Sequence, residues 1–329
     1  MDERKANLTL QNFIDRGLFD DSNVQFAGVF ENEEKPGEYD IEIGVYNLDR
    51  VLDDSPYFRI IDRTRIKIKT HIKDKSFQKG FFKAPTSLDI IDTPRFNGLS
   101  SSTNVTRFAF IGTRHCNLCL GTLGAFFEQH NTNRTFFISN WHVLTDGELV
   151  LRSPIIQPHD VDRLLLKDKI GELYSYYLDE HMDVAIGILN KGVKINNPNN
   201  TIKGFGMPKW GMTLKKHGAG TGDYPNAGAK IISTNCSVRV SHTNYPRGEQ
   251  VFHRQIMTKD MAAKGDSGSV SVDKSTGAAV GLVFADNGHK YTIHNPIWMI
   301  LKDKKLPFEI TEGVNRGAIM PELNFKKFV

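Results

Sequence analysis

The stretch KGDSGSVSV, residues 264–272, sets a serine between two glycines just before a run that alternates apolar and polar side chains. Alternation with period two reads as a strand, so Ser267 lies on a tight turn at a strand entrance. A serine hydroxyl attacks a carbonyl only if it is exposed on such a turn with backbone N–H groups aimed at the same point. Gly265 and Gly268 permit that close backbone. Ser267 is therefore a candidate nucleophile, and the competing reading is a plain Gly/Ser turn between strands.

A nucleophilic serine needs a base, and FFISNWHVLTDG, residues 136–147, places His142 at the end of an apolar strand. One imidazole nitrogen must face the serine while the other is held by an acceptor. The segment HMDVAIGIL, residues 181–189, offers that acceptor as Asp183 at the start of a buried-type strand; Asp179 is a nearby rival in a looser turn. The order His142, Asp183, Ser267 has gaps of 183 − 142 = 41 and 267 − 183 = 84 residues. An α/β-hydrolase runs Ser, Asp/Glu, His and needs G-x-S-x-G, where Ser269 here replaces the last glycine; a subtilisin runs Asp, His, Ser. The order that remains is the chymotrypsin one, and it fits the surrounding pattern of short strands.

From Thr106 onward such runs follow one another: TRFAFIG, GTLGAFF, RTFFISNWHV, LVLRSPII, IGELYSYYL and VAIGIL. The polar NKGVKINNPNN separates these from KIISTNCSVRV, VFHRQIMT, GSVSVD, AAVGLVF and KYTIH. Many short strands with turns between them indicate a sandwich or barrel. Ahead of them, a helix around Leu8–Arg16 and the runs VQFAGVF, YDIEIGVY and TRIKIKTHI form a small α+β unit. Pro85, Pro94 and GLSSST mark a connecting segment. The expected organisation is an N-terminal accessory domain and linker over residues 1–95 and an all-β domain over 96–303, for which the resemblance to chymotrypsin-fold peptidases implies a double six-stranded barrel. Its first barrel spans about 104–195 and its second about 203–296, with a short helix over 296–303 in NPIWMILKDK and a tail over 304–329.

The chain of 329 residues carries 42 basic and 38 acidic side chains, a net +4 that argues against a nucleic-acid partner. No apolar stretch reaches membrane-span length, and the charged start MDERKANLTL is unlike a signal peptide. Three cysteines, Cys116, Cys119 and Cys236, are too sparse for a disulfide framework, so a reducing, cytoplasmic setting is expected. HCNLC gives Cys116 and Cys119 half of a zinc-site spacing, which His115 and Cys236 would have to complete; unliganded thiols are the expectation. The basic run between Arg63 and Lys83 reads as a solvated strand face, with an anionic partner as the alternative. HGAGTGD lacks the Gly-Lys-Ser/Thr of a phosphate loop and reads as a tight β turn.

Together these residues resemble the trypsin-like, chymotrypsin-fold serine peptidases over about Val105–Lys302, and in particular the group of the plant narrow-leaf protein and its bacterial relatives. The resemblance is carried by GTLGAFF, ISNWHVL around His142, DVAIGIL at Asp183, KKHGAGTGD, GDSGS at Ser267, AVGLVFAD and HNPI. Trp141 departs from the small or polar residue usual before the histidine, and KKHGAGTGD matches loosely. The resemblance implies Ser267 as nucleophile, His142 as base, Asp183 as orienting carboxylate and the N–H groups of Gly265 and Ser267 as oxyanion hole, with no metal or cofactor. It implies an apolar primary pocket with Met261 as floor, Phe284 and Ala285 as wall and Asp286 near the rim. It also implies a protein or peptide substrate. No Ile-Val pair stands near Thr103–Arg107, so activation by a new N-terminus is not expected, and Asp266 must bond a backbone amide, a side chain such as Lys264, or solvent. The N-terminal domain, outside the triad, is expected to recognise a protein partner or restrain the peptidase, and a chain starting near Phe96 to fold alone.

Overall fold

The computed structural model describes residues 1–46, 66–70, 82–83, 104–106, 110–113, 121–129, 134–145, 151–157, 169–196, 202–242, 245–288, 290–301 and 325–328. Cys116, Cys119, His115, most of the basic 63–83 run and residues 302–324 lie outside them.

Helix α1 (Glu3–Asp15) starts where the Asp2 side chain accepts from the Lys5 N–H at 2.8 Å and stops before Gly17, which takes the left-handed conformation. Its Ala6, Leu10 and Phe13, at helical spacing, pack onto strands β1 (Val24–Glu31) and β2 (Tyr39–Val45). Strand β3 (Ile66–Thr70) adds to β2 in parallel. Short strands β4 (Phe82–Lys83) and β5 (Asn104–Thr106) follow.

The first barrel consists of β6 (Phe110–Thr113), β7 (Gly121–Thr122), β8 (Ala125–Gln129), β9 (Thr135–Ser139), β10 (Pro154–Ile156), β11 (Lys169–Leu178) and β12 (Asp183–Leu189). Pairing runs β6–β7, then through the chain into β8, then β8–β9–β12–β11–β10 and back to β6, so six strand positions close a ring. Strand β13 (Lys194–Asn196), in the expected polar break, pairs in parallel with β5. The second barrel consists of β14 (Thr213–Lys216), β15 (Ala229–Ser241), β16 (Glu249–Lys259), β17 (Val270–Asp273), β18 (Ala279–Asp286) and β19 (Tyr291–Pro296). Its order is β14–β17–β18–β19–β16–β15, closed by the β14–β15 pair. Closure leaves few free edges on either sheet. The all-β double barrel implied by the resemblance is present. A short helix, Ile297–Leu301, follows, and β20 (Phe325–Phe328), in the expected tail, pairs antiparallel with β8.

The N-terminal unit continues the second barrel's sheet. β1 pairs antiparallel with β15, with Phe26 opposite Val238 and Gly28 opposite Cys236. The Arg239 guanidinium reaches across to the carbonyls of Phe19 and Val24. Phe26 belongs to the same apolar cluster as Phe126, Phe137, Trp141, Phe252 and Phe284, and its ring lies 6.5 Å from that of Tyr291 on β19. The N-terminal unit thus shares a core with the barrels.

Phe26→Ala is therefore expected to cost about 3–5 kcal/mol, as for a core aromatic, read by urea denaturation. A chain starting at Phe96 is expected to aggregate, because it bares β15 and takes from Arg239 the carbonyls of Phe19 and Val24. A soluble, cooperatively folding fragment in size-exclusion chromatography and thermal unfolding would contradict this.

Candidate active site

Register brings the first two candidate residues together. β12 lies antiparallel to β9 with Ala185 opposite Ser139, so two residues further out Asp183 comes opposite the start of the short helix Trp141–Leu144. Asp183 Oδ1 accepts from the backbone N–H of Trp141 at 2.6 Å and of His142 at 3.2 Å. Its Oδ2 accepts from His142 Nδ1 at 2.6 Å and from the Tyr245 hydroxyl. The backbone of Asp183 is held as well: Asn140 Nδ2 donates to its carbonyl at 2.7 Å, and its N–H donates to Asn295 Oδ1 at 3.0 Å. His142 and Asp183 are completely buried. Burial by itself pushes the Asp183 carboxyl up, but the His142 charge, the ring hydrogen bond, the Tyr245 hydroxyl and the His142 amide outweigh it and hold it below the usual carboxylate value. Asp179, the rival, accepts from the His181 and Met182 amides at 2.7 and 2.8 Å and so caps its own turn.

Ser267 stands on the turn entering β17. Gly265 and Gly268 take φ of 90° and 91°, and a Cβ on Gly268 would sit 2.2 Å from Ser139 Oγ, so only glycine fits there. Gly268 N–H donates to the Val283 carbonyl at 2.9 Å, fixing the turn to β18. From the first barrel, Thr122 N–H donates to the Ser267 carbonyl at 2.6 Å, and its hydroxyl donates to the Gly265 carbonyl at 2.8 Å while accepting from Ala219 N–H at 2.9 Å. Ser267 Oγ, expected to be exposed, is buried, as is His142 Nε2, and among the described residues neither has a hydrogen-bond partner, so the two do not bond each other. Among the described residues no acceptor takes the N–H groups of Gly265 and Ser267, the two candidate oxyanion donors.

Asp266 forms a fully buried ion pair with Lys216 Nζ at 2.9 Å, so Lys216 supplies the cation. Its oxygens also accept from the N–H groups of Gly220, Thr221 and Ala263, each at 3.0 Å, and from the Thr221 hydroxyl at 2.6 Å. Lys216, Gly220 and Thr221 all come from KKHGAGTGD, whose turn is closed by paired Gly218–Gly222 backbone bonds. A Cβ on Gly218 would lie 2.1 Å from Asp266 Oδ1, so the glycine lets the loop wrap the carboxylate. Burial pulls the Lys216 ammonium below its ordinary value against the opposing pull of Asp266.

Of the candidate pocket residues, Met261 is fully buried in an apolar cluster with Leu214, Ile231, Ile256 and Val280. Phe284 packs on Phe252 with ring centroids 5.0 Å apart, Ala285 is buried beside it, and Asp286 Oδ1 accepts from Gly288 N–H at 2.7 Å. The sequence reading missed Tyr245, Lys216, Thr122 and Asn295. The KKHGAGTGD and HNPI motifs contained Lys216 and Asn295; Tyr245 stands in the polar turn SHTNYPRGE, which carries no visible signal.

Lys216→Met leaves Asp266 buried without its cation and is expected to cost about 3–5 kcal/mol. Adding Asp266→Asn should recover part of that loss, which a double-mutant cycle by denaturant unfolding measures. Acid should destabilise the fold early. His242 and His294 are pushed from 6.5 down to about 3, chiefly by burial, so on acidification the unfolded chain takes up protons first. Stability present above about pH 6.5 is then lost toward pH 3 at about 1.4 kcal/mol per pH unit for each histidine. His294→Gln should halve that contribution in unfolding measured against pH.

No protein-family model and no curated protein sequence matches the chain. Among solved structures it is similar to a glutamic acid specific serine protease, at 16% identity and TM-score 0.45 over 60% of this chain and 96% of that one. A Nocardiopsis protease (NAPase) matches at 16% and 0.43 over 60% and 95%. A Cellulomonas bogoriensis chymotrypsin matches at 18% and 0.39 over 60% and 94%.

Proposed function

We propose that the chain is a serine endopeptidase of the trypsin-like class, related to the narrow-leaf group, that hydrolyses peptide bonds through an acyl-enzyme. The observation carrying this reading is the buried His142–Asp183 pair beside the glycine turn of Ser267, with His142 Nε2 and Ser267 Oγ both without a hydrogen-bond partner among the described residues. In the proposed cycle Ser267 Oγ attacks the carbonyl carbon and His142 Nε2 takes its proton. The carbonyl oxygen, now negative, rests on the Gly265 and Ser267 N–H groups, and the protonated His142 passes its proton to the leaving amine. Water repeats the sequence in reverse on the acyl-enzyme. Asp183 stays ionised throughout, holding Nδ1–H and stabilising the imidazolium, a role that its four donors and lowered pKa favour. Metal and cofactor play no part in this scheme.

The proposal extends to an apolar primary pocket bounded by Met261, Phe284 and Ala285 with Asp286 at its rim, and to a protein or peptide substrate. Cytoplasmic residence rests on the sparse cysteines, of which Cys236 is a buried thiol. Activity without proteolytic activation is favoured by Lys216, because Asp266 already has an internal cation. Esterase action through the same residues is the second reading, since acyl chemistry leaves the leaving group open.

Labelling with a fluorophosphonate probe tests the proposal. Ser267→Ala should abolish labelling and turnover, a loss on the order of 10⁶ in kcat, and His142→Ala should lose about as much. Asp183→Asn should cost about 10⁴ by stabilising the wrong tautomer. Normal peptide hydrolysis by Ser267→Ala would overturn the assignment, and cleavage of esters alone would select the second reading.

A further inference from the structure

We infer that Tyr245 is a positioning residue of the proposed acyl transfer: its hydroxyl, delivered from the second barrel, shares Asp183 Oδ2 with the His142 ring and sets how that carboxylate holds the imidazole. The inference rests on the serine hydrolase reading and adds to it a residue outside the triad.

Three observations converge on this role. First, Tyr245 donates to the same oxygen that binds His142 Nδ1, while the other carboxylate oxygen is taken by two backbone amides. Without the hydroxyl, Oδ2 would have one donor, and the carboxylate plane would be fixed from the first barrel alone. Second, Tyr245 is buried, its ring centroid 6.0 Å from Trp141, 6.3 Å edge-on from His142 and 5.6 Å from Phe252, so the hydroxyl is aimed by packing. Third, the segment carrying it is anchored: Gly248 N–H donates to the Tyr245 carbonyl at 2.8 Å and Tyr245 N–H to the His242 carbonyl at 3.1 Å.

The phenol acts as a donor and does not transfer its proton. Burial, then the Asp183 charge, push Tyr245 well above its ordinary value, so the O–H persists at every working pH. A donor on a carboxylate disperses its charge. Removing it concentrates negative charge on Oδ2, which favours the imidazolium. Among the described residues the ionisable groups facing the His142 ring are Asp183, Tyr245 and His242, whose ring centroid lies 4.9 Å away. Burial and the neighbouring His142 push His242 to about 3, so it stays neutral across the window concerned.

Tyr245→Phe removes one oxygen and keeps the ring. We expect kcat/KM to fall about ten- to hundredfold, as for loss of a hydrogen bond to a charged group, with the acidic limb of its pH profile moving up by roughly one unit. The His142 ring titration, followed by imidazole ¹⁵N NMR in the Ser267→Ala background, should move the same way. That readout needs no turnover, so failure of the serine assignment and failure of this inference are separable. A fluorinated tyrosine at position 245 keeps the hydroxyl and strengthens it as a donor, and should move the ring titration down. An unmoved titration in Tyr245→Phe overturns the inference. Should that variant fail to fold, an unmoved titration in the fluorinated protein overturns it equally.

Discussion

The Asp183 carboxylate is the point on which both barrels close. It receives two backbone amides and an imidazole from the first barrel, a phenol from the second, and its own N–H is caught by Asn295 on β19. A buried carboxylate costs several kcal/mol in lost hydration, and only a full set of donors in good geometry offsets that. Because the donors come from both halves of the fold, sliding one barrel over the other would strand the charge. The barrel interface is thereby specified by hydrogen bonding as well as by the apolar cluster running through Phe126, Trp141, Phe252 and Phe284.

Asp266 repeats the arrangement one residue from the candidate nucleophile. Here the donors are Lys216 and the amides of its own loop, and Thr122 ties that loop and the Ser267 turn to the first barrel. The two carboxylates thus hold His142 and the Ser267 turn by separate networks, each satisfied within the described residues.

The all-β architecture was legible in the sequence because period-two runs between turn residues have few other solutions, whereas the double barrel came with the resemblance carried by the order of His142, Asp183 and Ser267 and the motifs around them. What local pattern does not carry is which distant side chains satisfy a buried charge. Lys216 lies 266 − 216 = 50 residues from its partner and Tyr245 lies 245 − 183 = 62 from Asp183, and neither spacing has a signature. The same limit applies to the N-terminal unit: its helix and strands were readable, with the helix starting earlier than expected at Glu3, but its pairing to β15 was not. Strand β14 was not among the strands read from the sequence, since TLKK is too short for a period to register.

The pairing of β1 with β15 has a consequence for synthesis. Ala27 meets Ser237, 237 − 27 = 210 residues later, so at about 5–20 residues per second the ribosome presents β1 roughly 10–40 s before its partner exists. During that wait α1 can cover one face of the nascent hairpin and β2 one edge of β1, whereas the edge from Phe26 to Gly28 has nothing to bond. VQFAGVF is an apolar segment of β type, the kind that pairs with other chains when left open. Strand β1 is therefore made long before its pairing is complete, and its open edge makes translation an interval in which this chain is exposed to misassembly.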